Sequence, residues 1–350
     1  MNVDSDSPTS DFRPPISDEG DPAASGGANL RPPISVLSAG ILVVDHLSTP
    51  IARLPRAGEL VLCDRLPLAI GGCAANVAID LARVGVRAGV VGCVGRDPFG
   101  QFLIDRLAAD GIETGGVRAL DGVDTSGTLI INVTGEDRRF IHSAGANAVM
   151  QASHIPLERV RQAKVFYIGG YLLMPALERP GALVELFRQA RAAGVKTVLD
   201  VVVPGPGDHW PKFEKLLAET DVVLPNEDEA ALITGYADPL DQAARFRDAG
   251  AGTVVITQGE RGTLLVSKDH RIRAGAYPTE FVGGTGAGDA FVAGYIAGLL
   301  AGEDAIGCLK WGAALGTSCV RSISATESVF TREEATAFMR QHDLTIESIQ

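Results

Sequence analysis

Residues 282–300 read VGGTGAGDAFVAGYIAGLL, which sets four glycines, one threonine and one carboxylate ahead of an apolar helix rich in small residues. Glycine lets the backbone turn its N–H groups toward a single point. The helix that follows brings the positive end of its dipole to the same place. The product is an anion hole that needs no lysine. Asp289 lies in the first helical turn, where like charge unsuits it to hold the anion. It is better placed to take a proton from a hydroxyl attacking that anion. The same residues also fit an ordinary glycine-rich turn with aspartate as a helix cap.

Four further stretches carry polar groups where α/β proteins bind ligands. AIGGCAANVAIDLARVG (69–85) sets Gly71 and Gly72 before a helix with Asn76 in its first turns. Either the backbone approaches a polar ligand and Asn76 bonds its hydroxyls, or the helix packs tightly and the amide is satisfied locally. Asp45 ends the first strand in GILVVDHL, at the strand edge where open sheets bind ligands. It could hold two sugar hydroxyls or cap a turn. LPNEDEA (224–230) offers Asn226, Glu227, Asp228 and Glu229 as oxygen donors for Mg²⁺ through water, or as an acidic first helical turn. In TQGERG (257–262), Thr257, Gly259 and Gly262 suit either a phosphate border or a plain hairpin turn. There is no Walker A motif, and the histidines and cysteines show no metal-ligand spacing.

The elements needed to position these residues can be read from hydrophobic pattern. ISVLSAGILVVD (34–45), VRAGVVGCVG (86–95), KVFYIGGY (164–171) and VKTVLDVV (195–202) are continuous β-branched runs, as buried parallel strands should be. DVVLPN (221–226) and GTVVITQG (252–259) follow suit. Helical stretches at 74–85, 99–111, 181–194 and 241–250 alternate with them, and several close on glycine. This alternation predicts an α/β fold: a doubly wound, mostly parallel sheet flanked by helices. Segments 47–70 and 125–145 lack intervening helices, and the second centres on a TGED turn. They are expected to form a small antiparallel sheet, serving as a lid, a homodimer surface or both.

Residues 1–33 form an acidic, Pro- and Ser-rich tail that cannot bury enough to fold, with RPPIS at 13–17 and again at 31–35. The folded domain spans 34–335, and 336–350 reads as a C-terminal extension. A formal charge of −12 argues against bulk nucleic-acid or anionic-membrane binding, and the polar N-terminus has no secretory pattern. Five cysteines without paired spacing read as reduced thiols, so a cytoplasmic protein is expected.

Taken together and in order, these motifs resemble the ribokinase (PfkB-type) family of carbohydrate kinases. GGCAANVAIDLARVGVRAGVVGCVGRDPFG (71–100) resembles the N-terminal signature, NEDE (226–229) the Asn-x-x-Glu motif, and GGTGAGDAFVAGYIAGL (283–299) the C-terminal signature. The resemblance implies that Asp289 is the catalytic base and that the amides of Gly286, Ala287 and Gly288 form the anion hole. It implies that Asp45, Gly71, Gly72 and Asn76 hold the sugar. Asn226 and Glu229 would organise Mg²⁺ and phosphate, and Thr257 to Gly262 would border ATP. The activity implied is ATP-dependent phosphorylation of a hydroxyl on a small sugar or sugar-like molecule. Alternatives are a nucleoside or keto-deoxy sugar-acid kinase and a non-catalytic sugar- or nucleotide-binding relative. One departure concerns cations. The family's signature usually opens with aspartate where this chain has Gly283, and the segment near 315–325 is also altered, so weak K⁺ activation is expected.

Overall fold

The computed structural model describes residues 33–136 and 138–349. The expected acidic tail, apart from residue 33, lies outside them. In chain order the strands are β1 (Val36–Gly40), β2 (Val43–Leu47), β3 (Leu68–Gly71), β4 (Ala88–Gly95), β5 (Glu113–Leu120), β6 (Gly127–Ile131), β7 (Arg139–Ser143), β8 (Val165–Tyr171), β9 (Lys196–Val201), β10 (Val222–Val223), β11 (Thr253–Thr257), β12 (Thr263–Ser267), β13 (Arg271–Ala274) and β14 (Ile346–Ser348). The helices are α1 (Cys73–Arg83), α2 (Pro98–Ala109), α3 (Leu157–Gln162), α4 (Ala182–Ala192), α5 (Trp210–Phe213), α6 (Glu227–Thr234), α7 (Pro239–Asp248), α8 (Ala287–Ala301), α9 (Ala305–Cys319) and α10 (Arg332–Gln341).

Ten strands form one sheet in the order β14-β13-β12-β11-β10-β9-β8-β1-β4-β5. From β5 to β11 every neighbouring pair is parallel; β12, β13 and β14 are antiparallel. β1, β4 and β8 are buried along their whole length, which explains their unbroken apolar sequence. One face packs on α1, α8, α9 and α10, and the other on α3, α4 and α7. Five of the described helices start on side-chain caps: Asp97 for α2, Asn226 for α6, Asp238 for α7, Asp304 for α9 and Thr331 for α10.

The four remaining strands make a second sheet, β3-β2-β6-β7. Its outer pairs are antiparallel and its central pair, β2 with β6, is parallel. Two boundaries differ from the sequence reading. The run 34–45 is two strands, not one. At Gly40 the backbone takes φ 145, and an added Cβ would stand 2.0 Å from the carbonyl oxygen of Gly169. Only glycine permits that close crossing, and through it the chain leaves the main sheet for the second one. The buried Asn147 clamps the departure, accepting from Leu42 N at 3.1 Å and donating to Leu42 O at 3.0 Å. Asp45 therefore belongs to the lid rather than to the end of a main-sheet strand. The other difference is at the C-terminal side. Residues 336–349 are no appendage, because α10 runs across position 336 and β14 pairs with β13 in the main sheet. The segment 47–70 is also mostly irregular, with strand only at its two ends.

Register gives the lid two unlike faces. Ala69, Asp45, Thr128 and His142 stand in one cross-strand row, while Leu68, His46, Leu129 and Ile141 stand in the next. Because side chains alternate along a strand, the first row faces the main sheet and the second faces away.

Candidate active site

Two helix N-termini meet beneath the lid. α1 begins at Gly72 and α8 at Gly286, each without a side-chain cap. Asn76, on the first turn of α1, donates from Nδ2 to Asp289 Oδ2 at 2.8 Å, joining residues 213 positions apart. The thiol of Cys73, the first residue of α1, bonds to the same carboxylate. Asp289 thus sits where both helix dipoles point, held by two donors and open to a cavity of about 170 Å³.

The cavity wall includes Gly286, Gly288 and Asp289 from the start of α8, Asn226 and Glu229 from the start of α6, and Thr257 from the end of β11. An isolated parallel bridge between Asn226 and Thr257 sets those two side by side. Asn226 and Glu229 form a reciprocal cap: Glu229 N donates to Asn226 Oδ1 at 2.9 Å, and Asn226 N donates to Glu229 Oε2 at 3.0 Å. The helix-cap reading and the ligand-site reading of NEDE therefore hold for the same atoms. Gly259 and Gly262 lie in the short turn between β11 and β12 and are not part of the cavity wall.

Asp45 approaches from the lid. Its carboxylate lies so close to Gly71 that an added Cβ there would stand 2.2 Å from Oδ2, so any side chain at 71 would displace the acid. Burial pushes Asp45 up to about 7 against the opposing Thr128 hydroxyl bond, with Asp289 adding a smaller upward push. Glu229 is likewise pushed up to about 7 by burial, and neighbouring Asp289 and Asp228 also raise it. Burial raises Asp289 too, opposed by its bonds to Asn76 and Cys73.

Two wall residues were not picked out from sequence. Asp200, near the end of β9, accepts from the Tyr167 hydroxyl at 2.9 Å and is raised by burial, then by Asp289 and Glu229. Its signal was a lone charge inside the apolar run VKTVLDVV, at the carboxyl end of a parallel strand. Cys73 is the other, buried and raised for the same reasons. One ligand atom from each of Cys73, Asp200 and Asp289 falls within 4.8 Å of the others. The two carboxylates suit a hard divalent cation such as Mg²⁺, while the Cys73 thiol, a soft donor that burial keeps protonated, does not. The lid also supplies a cation, since Arg138 donates to the Thr285 hydroxyl beside the glycine turn.

The pattern of the pfkB family carbohydrate kinases matches residues 36–332. The chain belongs to that family. A ribokinase from Haemophilus influenzae is 29% identical over 317 residues, covering 89% of this chain and 99% of the relative. An ATP-dependent 6-phosphofructokinase from Thermoanaerobacterium thermosaccharolyticum is 28% identical over 302 residues, covering 83% and 89%. The structure of Arabidopsis thaliana ribokinase complexed with ribose and ATP superposes with a TM-score of 0.75, covering 87% of this chain and 98% of that one at 24% identity. The fold is therefore ribokinase-like, and the enzyme is a carbohydrate kinase. No helix among the described residues is long and apolar enough to cross a membrane.

Proposed function

We propose that this kinase transfers the γ-phosphoryl group of ATP to a primary hydroxyl of a small sugar, with Asp289 as general base. The observation that carries the reading is the Asn76–Asp289 bond, which brings the two glycine-rich helix starts together over one cavity. The sugar lies between Asp45 and Asp289, with Asn76 and the backbone at Gly71 and Gly72 completing its cradle. Asn76 fixes the orientation of the Asp289 carboxylate, so one oxygen is left to accept the attacking hydroxyl's proton. The amides of Gly286, Ala287 and Gly288 receive the charge that develops on the transferring phosphoryl oxygens. Glu229 would hold Mg²⁺ through water, and the ion would supply counter-charge to the phosphates. Thr257 and the turn at Gly259 and Gly262 border the nucleotide, with Asn226 beside them. The lid closes over the sugar and excludes water.

The lid's outward row exposes Leu68, Leu129 and Ile141, and Leu60 and Leu62 are exposed in the neighbouring loop. That apolar face supports a homodimer formed through the lids, to be checked by light scattering on the purified chain.

ADP release, followed by a coupled assay across pentoses, hexoses, sugar acids and nucleosides, tests the function. Turnover stimulated by at least one small sugar is expected. ATP consumption that no panel member stimulates would remove the assignment.

A further inference from the structure

The lid's inward face carries a hydrogen-bonded row that the transfer chemistry above does not use. Asp45 accepts from the Thr128 hydroxyl. Thr128 Oγ1 lies 3.0 Å from His142 Nδ1. A hydroxyl has one proton, and with Asp45 ionised that proton is committed there, so toward the imidazole Thr128 then accepts. The ring must then carry its proton on Nδ1 and donate it to Thr128. That leaves Nε2 of the neutral ring as a bare acceptor, and among the described residues no protein group donates to it. His142 is exposed, and partial desolvation by its neighbours lowers the imidazole's affinity for a second proton, which favours that form. Position decides what it could meet. His142 is two strands from Asp45 on the same face, so the two are about 10 Å apart at a strand spacing of ~4.8 Å. This is the length of a small sugar and the bonds at its two ends. Phe140 lies two residues earlier on the same strand and face, 55% exposed. Arg138 lies over one face of its ring, 5.6 Å from the centroid, and the other face is left to cover the C–H face of a sugar.

We infer that His142 reads the acceptor substrate, its Nε2 accepting from a hydroxyl at the sugar end remote from the transferred phosphoryl group. This deepens the function proposed above and rests on it. It also names the substrate class. Asp45 and His142 both present lone pairs, so the pocket is matched to a neutral polyol, which has hydroxyl protons to give. The carboxylate of a sugar acid would set negative charge against both.

The test compares wild type, His142→Ala and His142→Gln on the best neutral sugar and its single-deoxy analogues. His142→Ala should raise KM for the sugar by about tenfold or more while kcat and the KM for ATP stay within about threefold. One deoxy analogue, used about tenfold less efficiently by wild type, should be used by His142→Ala as well as the parent sugar. His142→Gln, which keeps an acceptor, should recover part of the discrimination. An unchanged KM, or an unchanged ranking of the deoxy analogues, overturns the inference, as does a uniform loss against all analogues with a lowered melting temperature. Calorimetric titration of sugar into the same three proteins separates the two levels of the argument. Sugar binding without turnover in wild type, weakened by His142→Ala, refutes the kinase mechanism and upholds His142 as the reader. A wild type that binds no neutral sugar overturns both.

Discussion

The starts of α1 and α8 are built by the same local device and used differently. Both open on a glycine with positive φ, 89° at Gly72 and 78° at Gly286, and neither has a side-chain cap. At Gly72 the space is already taken, since an added Cβ would stand 2.5 Å from the carbonyl oxygen of Ile41. At Gly288, one residue into α8, an added Cβ would meet nothing within 4 Å. Both cap glycines are thus held by the protein's own backbone, since an added Cβ at Gly286 would stand 2.5 Å from the carbonyl oxygen of Ala325, and the difference lies two positions on, where Ala74 is buried and Gly288 borders the cavity. The contrast separates glycines needed for folding from glycines needed by a ligand, which sequence alone cannot do.

The largest expected effect comes from removing the acid where the two starts meet. Asp289→Asn should keep the fold and lower kcat by ~10²–10⁴. Near-normal turnover with any good substrate would take Asp289 out of the mechanism.

Next comes a matched pair of alanine substitutions. Gly72→Ala must adopt a conformation open almost only to glycine and push on Ile41, so it should cost ~2 kcal/mol or more and several degrees of melting temperature. Gly288→Ala should leave melting nearly unchanged and instead raise the KM for ATP or lower kcat, because its methyl enters the space kept for phosphate. If Gly288→Ala lost as much stability as Gly72→Ala with normal kinetics, the distinction between the two helix starts would fail.

Acidity should move stability and activity in opposite directions. The carboxyls of Asp45 and Glu229 are each raised to about 7. Below the ordinary carboxylate range both folded and unfolded states hold these protons. As pH rises from about 4 to about 7 the unfolded chain releases them first, so stability falls across that window. With Asp289 as the proposed base catalysis needs it ionised, and burial raises it, so kcat/KM should rise with pH above the ordinary carboxylate range. Thermal melts and pH–rate profiles check this. Asp45→Asn with Glu229→Gln should flatten the melting trend, and a wild type that melts higher as pH rises from 5 to 7 would contradict the assignment.

The smallest effect is expected from K⁺. An added Cβ at Gly283 would lie 3.0 Å from the carbonyl oxygen of Ser322, so the return segment packs closely against this position. Replacing a bulky organic cation with K⁺ at constant ionic strength should change the rate less than about threefold, or ~0.65 kcal/mol. A saturable activation of tenfold or more would show that backbone carbonyls suffice.

What could be read from the sequence followed the range of the forces involved. The glycine turns, the Asn226 cap and the apolar strands depend on neighbours within a few residues, and the parallel sheet follows from their alternation. Asp200 and Cys73 reach the site only through packing, and nothing local marks them apart from one charge in an apolar strand. The inward row of the lid was harder still. Which side chains share a face follows from pairing β2 with β6 and β6 with β7, and a shift of one residue would exchange His142 for Ile141. The split of the first strand was hidden too, because Gly40 acts through a contact with Gly169 that lies far along the chain.

The crossing at Gly40 bears on how such enzymes could be recombined. β2 follows β1 after two residues, so the lid is threaded through the kinase body rather than attached to it. The chain enters the lid near 41, leaves at 72, returns near 126 and leaves again after 143. Exchanging this lid for that of a relative would therefore require four splices. Two of them, at Gly40 and at Gly72, fall where the backbone tolerates no side chain. Specificity in such a scaffold is easier to alter one inward residue at a time than by transplanting the sheet.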